Sequence, residues 1–192
     1  LETETGIVLS NSPTQTVGYK AISALDKVRH PIPLLSLDKT KQIRELLTFL
    51  KKKYALLMLK LDGLTVKLVY EDGRLIEGST RGDGEEGEII THNVPAFRNV
   101  PLNIPYKERL VVTGEGFIHK HDFARLKDTL VGSDGKPYRN ARNLAAGSIR
   151  SLSAETCKER EVNFFAFNVL EGLDEFTVQK DSRSRVKSVY WL

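Results

Sequence analysis

Lys60, Asp62 and Gly63 are the residues of this 192-residue chain whose types and spacing best suit covalent chemistry. The run before them, Tyr54-Ala55-Leu56-Leu57-Met58-Leu59, is almost wholly apolar and reads as a buried strand over about residues 55–61. Lysine is rarely fully buried. A lysine held in such a strand loses hydration, which disfavours the ammonium form, and the neutral amine is a nucleophile. Left unperturbed, with a pKa near about 10.4, it would be almost entirely protonated at neutral pH. Asp62 falls on the same face as Lys60 because strand side chains alternate with period two. Gly63 allows backbone or ligand to come close where the strand turns. The same residues also describe an ordinary hairpin that turns at Asp-Gly.

The elements that must carry this site follow from pattern. Residues 1–37, with prolines at 13, 31 and 33, read as an irregular arm. Asp38 is a candidate cap for a helix running to about Lys53, with Ile43, Leu46, Leu47 and Leu50 on one face. Strands are expected over about 64–71 and 74–80, joined by a tight turn at Asp72-Gly73. A glycine-rich loop spans 81–87, and a short helix is expected over 88–93. Further on, the pattern predicts a strand over 109–117, helices over 119–130 and 140–150 with a loop between, an apolar strand over 161–169, and a helix starting near Ser182. Local hairpins mixed with separate helices give an α+β fold.

Composition sets the bounds. The length fits one domain over residues 1–192, and 40% hydrophobic with 28% charged residues is a globular balance. There is no run of 18 apolar residues and no secretory leader pattern, so a cytoplasmic protein without a membrane span is expected. A lone cysteine, Cys157, leaves no internal disulfide and no cysteine zinc site. The net charge of +4 permits nucleic-acid binding without demanding it. His30, His92, His119 and His121 do not form a ligand set. Lys51-Lys52-Lys53 reads as a solvated helix end.

Seven segments, in order, resemble the adenylation (nucleotidyltransferase) domain of bacterial NAD-dependent DNA ligases. Asn11-Ser12-Pro13-Thr14-Gln15-Thr16-Val17-Gly18 is similar to D-S-P-T-Q-x-V-G, and His30-Pro31-Ile32-Pro33-Leu34-Leu35-Ser36-Leu37 to H-x-x-P-M-L-S-L. Lys60-Leu61-Asp62-Gly63 follows, then Thr80-Arg81-Gly82-Asp83-Gly84 with Gly87-Glu88 and Asn93-Val94, then Gly114-Glu115. Asn140-Ala141-Arg142-Asn143-Leu144-Ala145-Ala146-Gly147-Ser148-Ile149-Arg150 resembles N-P-R-N-A-A-A-G-S-L-R, and Phe164-Phe165-Ala166-Phe167 resembles F-F-A-Y. Three positions depart: Met58 stands where the family has glutamate, Thr113 where it has the arginine of R-G-E, and Pro95 where arginine follows Asn-Val.

The resemblance implies an ATP-grasp-like nucleotidyltransferase domain with antiparallel sheets and flanking helices. It implies that Lys60 takes AMP from NAD+, releasing nicotinamide mononucleotide, and that the adenylate passes to the 5′-phosphate of nicked double-stranded DNA. Asp62 then orients the lysine or the ribose. Ser36, Leu37, Gly63, Arg81 and Glu115 join Lys60 in binding the nucleotide, with Glu115 a possible contact for Mg2+. Arg142 and Arg150 contact DNA phosphates; on a helix they and Arg139 lie on one side. The family's upstream nicotinamide-binding helices and its downstream OB-fold, zinc and helix-hairpin-helix modules are not within these residues, so the chain reads as a fragment, monomeric and weakly active alone. Two alternatives stay open: a divergent, catalytically impaired module that binds nucleotide or DNA, and an ATP-using transferase with the same lysine chemistry.

Overall fold

The computed structural model describes residues 24–36, 38–51, 57–132 and 135–173. Its frame is a four-stranded antiparallel sheet in the order β3-β2-β5-β6, built from β2 (Leu64–Glu71), β3 (Arg74–Thr80), β5 (Leu110–Phe117) and β6 (Asn163–Glu171). A second, two-stranded sheet pairs β1 (Lys27–Arg29) with β4 (Glu86–Glu88). The helices are α1 (Ile43–Leu50), α2 (Lys120–Leu126), α3 (Ala141–Ile149) and α4 (Ala154–Glu159), with a 3-10 turn at Val94–Ala96. Helices and antiparallel pairing together are the α+β class read from the sequence. Among the described residues no helix is long and apolar enough to cross a membrane.

The period of two on β2 sets the layers. Val66, Leu68 and Tyr70 point into the core with Leu110 and Val112 of β5 and Phe164 and Ala166 of β6. Leu144, Ala145 and Ile149 of α3, Cys157 of α4, and Val94 and Phe97 around the 3-10 turn cover that face. Each large apolar side chain buried there contributes roughly 1.5–3 kcal/mol. Burial pushes the Cys157 thiol up to about 12, so it behaves as an apolar filler. The β2–β3 hairpin turns at Asp72-Gly73, whose positive φ values of 48° and 74° are those of a type I′ turn. Leu64–Glu71 and Arg74–Thr80 match the expected strands.

Several expectations are corrected. The strand over 55–61 is not formed in its described part: residues 57–62 pair with no strand, and Leu57, Leu59 and Lys60 are exposed. β3 ends at Thr80 and β5 at Phe117, so neither neighbour of β2 runs on beside the chain entering it. The helix begins at Ile43 rather than after Asp38. Gln42 is its N-cap, and Ile43, Leu46 and Leu47 are exposed, so among the described residues the apolar stripe meets no core. In place of a helix over 88–93 there is β4 followed by turns and the 3-10 turn. Helix α2 stops at Leu126, and β6 runs to Glu171. The helix expected from Ser182, and Lys52 and Lys53, lie outside the described residues.

On the sheet face opposite the core, Lys67 is 5% exposed and its Nζ meets Glu77 Oε1 at 3.0 Å. Ser79 Oγ donates to the same oxygen at 3.1 Å. Removing one partner of a buried pair leaves an uncompensated charge. Glu77→Ala is therefore expected to lower unfolding stability by about 3 kcal/mol. The double replacement Lys67→Met with Glu77→Gln should stay within about 1 kcal/mol of the parent. Urea titrations of the three proteins check this; equal losses in both variants would show that the ion pair is not what the sheet needs.

Candidate active site

The β2–β5 register places Thr65 directly opposite Glu115 at the end of the sheet, beside the turn that carries Lys60, Asp62 and Gly63. Glu115 Oε1 accepts from the Gly63 backbone N–H at 3.0 Å, and Oε2 accepts from Thr65 Oγ1 at 3.0 Å. A Cβ on Gly63 would sit inside the Gly116 carbonyl, so only glycine lets the turn lie this close to β5. Thr65 O in turn accepts from the Arg81 N–H at 3.0 Å. The two motif segments around Lys60 and Arg81 are thus tied to one strand.

The glycine-rich loop is held from below by the segment that begins at His30. His30 is 4% exposed, and its Nε2 lies 3.1 Å from Thr80 O and 3.2 Å from Arg81 O. A ring nitrogen that faces two carbonyl oxygens must carry the hydrogen. The His30 N–H donates to Glu85 O and the Leu34 N–H to Gly84 O, both at 2.8 Å. Asp83 Oδ1 accepts from the N–H groups of Glu86 and Glu85 at 2.8 and 2.9 Å, which holds its carboxyl below the ordinary range. Gly82, at φ +58°, makes the bend that only glycine adopts without strain.

Helix α3 brings the two predicted DNA arginines to the same place. Asn140 caps its start by accepting from the Asn143 N–H at 2.8 Å. The fully buried Asn93 closes its end: Nδ2 donates to Ile149 O at 2.8 Å and to Ser151 O at 2.6 Å. Arg142 lies one residue inside the helix and Arg150 at its C-cap, while Arg139 falls before it. Arg142 Nη1 donates to Asp62 Oδ1 at 3.1 Å, with both side chains largely exposed. Arg150 grips Glu88 through Nε and Nη2, each at 2.6 Å. That bond to Glu88 raises the Arg150 pKa against a smaller opposing effect of burial.

These elements enclose a cleft of about 540 Å³ lined by Lys60, Asp62, Gly63, Arg81, Glu115, Arg142 and Arg150, with Lys27 and Glu86 at its side. Its cations are unequally matched. Lys27 pairs with Glu86 at 3.1 Å, Arg142 with Asp62 and Arg150 with Glu88. Among the described residues Lys60 and Arg81 have no carboxylate within ion-pair distance, although both line the cleft. Ser36 is exposed and does not line it, and Leu37 lies outside the described residues. The residues 22–190 match the family described as the NAD-dependent DNA ligase adenylation domain.

The chain belongs to that family. It is 45% identical over its whole length to a DNA ligase of Ruminiclostridium cellulolyticum, of which it covers 28%. It is also 46% identical over 91% of its length to a DNA ligase of Lachnoclostridium phytofermentans, covering 26% of that protein. Over 90% of its length it is 36% identical to a DNA ligase of Bacillus subtilis, covering 27%. The chain thus spans about a quarter of these curated relatives. Three residues that line or support this adenylation domain's cleft were absent from the sequence-derived site. Thr65 is a polar residue opening a strand, and only the strand register reveals its partner. His30 and Asn93 stood inside motif segments, but their support of Arg81 and Arg150 needs the fold.

The two arginine pairs should differ in strength. Exposed ion pairs contribute at most about 1 kcal/mol. Arg142→Ala should therefore change stability by less than about 0.5 kcal/mol. Arg150→Ala removes a bidentate, half-buried contact and should cost roughly 1–2 kcal/mol. Thermal unfolding in low and high salt tests the contrast, with the Arg150 effect persisting in high salt.

Proposed function

We propose that this chain is the single adenylation core of a longer NAD-dependent DNA ligase, acting in the cytoplasm as a monomer on nicked double-stranded DNA. The observation that carries the reading is that, among the described residues, Lys60 and Arg81 line the cleft with no carboxylate within ion-pair distance. An amine for attack and a guanidinium for phosphate or ribose oxygens are what nucleotidyl transfer needs.

In this reading Lys60 Nζ, having given up a proton, attacks the α-phosphorus of NAD+. The N–P bond forms as the bond from phosphorus to the bridging oxygen breaks, and nicotinamide mononucleotide leaves with that oxygen and its electron pair. AMP stays on Lys60 as a phosphoramidate. A DNA 5′-phosphate oxygen then displaces the lysine, and the neighbouring 3′-hydroxyl displaces AMP as the strand is sealed. Arg81 forks onto phosphate or ribose oxygens. Gly63 brings the backbone close to the nucleotide, and the lone pairs of Glu115 not used by Gly63 and Thr65 accept from ribose hydroxyls. Asp62 orients the lysine or ribose when Arg142 turns to DNA.

Among the described residues no group of three or more His, Cys, Asp or Glu could hold a metal by itself. Glu115 already accepts two protein hydrogen bonds. This suits Mg2+ held chiefly by substrate phosphates, with Glu115 as the protein contact; the ion would offset phosphate charge. Cys157 is buried, so no zinc role is proposed for these residues.

Incubating the complete protein with adenine-labelled NAD+ and mapping the labelled peptide should place AMP on Lys60, with label lost in Lys60→Ala. Label on another residue, or undiminished label in the variant, would refute the assignment. Binding of nicked DNA across a salt series should weaken in Arg142→Ala and Arg150→Ala, with the log–log slope shallower by about one unit for each lost phosphate contact. The loss should be equal across DNA sequences because phosphates carry no base code. Unchanged affinity and slope in both would leave the arginines as structural residues.

A further inference from the structure

We propose that Thr65 is a positioning residue for the lysine chemistry, setting both walls of the cleft through its two ends. Its hydroxyl donates to Glu115 Oε2 while the Gly63 N–H donates to Oε1, so the carboxylate is fixed in plane by a donor on each oxygen. A glutamate side chain with a single donor would still be free to swing about its long stem. With both it becomes a rigid strut between β5 and the turn that carries Lys60. The other end of Thr65 is its carbonyl, which accepts from the Arg81 N–H at 3.0 Å. One residue thereby ties Lys60's turn to Arg81's loop.

Three features make Thr65 suited to this work. Its branched side chain is restricted about χ1, so the hydroxyl direction is set by the backbone. It stands directly opposite Glu115, where facing Cβ atoms are about 4.5–5.5 Å apart. It also lines the cleft on the face away from the core, so it can be changed without opening a core cavity. Asp62 cannot substitute, because its carboxylate is exposed and engaged with Arg142. The chemistry that benefits is the one proposed above: in-line attack tolerates little misplacement of the amine, and a site held loosely loses rate at saturating substrate. The inference rests on that reading of Lys60.

The test compares Thr65→Val, which keeps the shape and removes the donor, with Thr65→Ser, which keeps the donor. In the complete protein, single-turnover formation of the Lys60 adenylate is followed across NAD+ concentration. Hydrogen exchange of the Gly63 amide is followed without nucleotide. Thr65→Val should lower the maximal rate about tenfold, the worth of one hydrogen bond to a charged group. Half-saturating NAD+ should stay within about twofold, since the lost bond touches no substrate atom. Gly63 exchange should be about tenfold faster as the turn opens locally. Thr65→Ser should return both readouts to the parent values. A Val variant with the parent's maximal rate, a Ser variant as slow as Val, or an unaltered Gly63 exchange rate would overturn the proposal. If the parent itself forms no Lys60 adenylate, the proposed function fails, and with it the catalytic part of this inference. Gly63 exchange would then still show whether Thr65 holds the turn.

Discussion

A slip of β2 by one residue against β5 would turn Thr65 toward the core and Val66 toward the cleft, breaking its pairing with Glu115. The antiparallel register of these two strands is therefore the constraint on which the site depends. It is enforced by the apolar face, where Val66, Leu68 and Tyr70 meet Leu110, Val112 and the underside of α3. The polar face inherits its order at no separate cost: Thr65 faces Glu115, and Lys67 faces Thr113. From the first rung hang Gly63, through the carboxylate, and Arg81, through the Thr65 carbonyl.

The second rung bears on one of the departures from the family pattern. Thr113 departs from the arginine expected there by resemblance, and Lys67, directly opposite and buried, places a cation on that rung. Its partner Glu77 comes from β3 on the other side of β2. Met58 has no such counterpart; it is part of the open approach to Lys60.

How much of this was legible in the sequence divides along physical lines. Strands β2 and β3 and their turn could be read to the residue, because alternation and Asp-Gly chemistry are local. Helix α3 was legible from Asn140 to Arg150 for the same reason, since its cap is encoded in the segment itself. What failed depended on neighbours. The apolar run before Lys60 looked buried, but apolar character cannot reveal that both neighbours of β2 end before they could pair with it. The stripe on α1 looked like a core face, but a stripe does not say what, if anything, packs against it. Strands β1 and β4 are three residues each, too short for a period to show. The candidate site itself was mostly legible as residue types. Its connections were not: Glu115, expected to meet ribose or Mg2+, holds Gly63 and Thr65, while the two arginines expected to meet DNA rest on Asp62 and Glu88.

Those resting partners change what tight binding can mean in this cleft. Asp62 and Glu88 are counter-ions on short tethers, present at high effective concentration and never lost by diffusion. A phosphate that takes Arg142 or Arg150 gains only the difference between itself and the carboxylate it displaces. When the phosphate begins to leave, the carboxylate is at hand to reclaim the guanidinium, so the empty state is never a bare charge awaiting solvent. If these arginines contact DNA as proposed, this competition would shorten residence at both positions, more at Arg150, where the competing grip is bidentate. For the proposed nick-sealing role, such competition would favour release of the strand once the work is done.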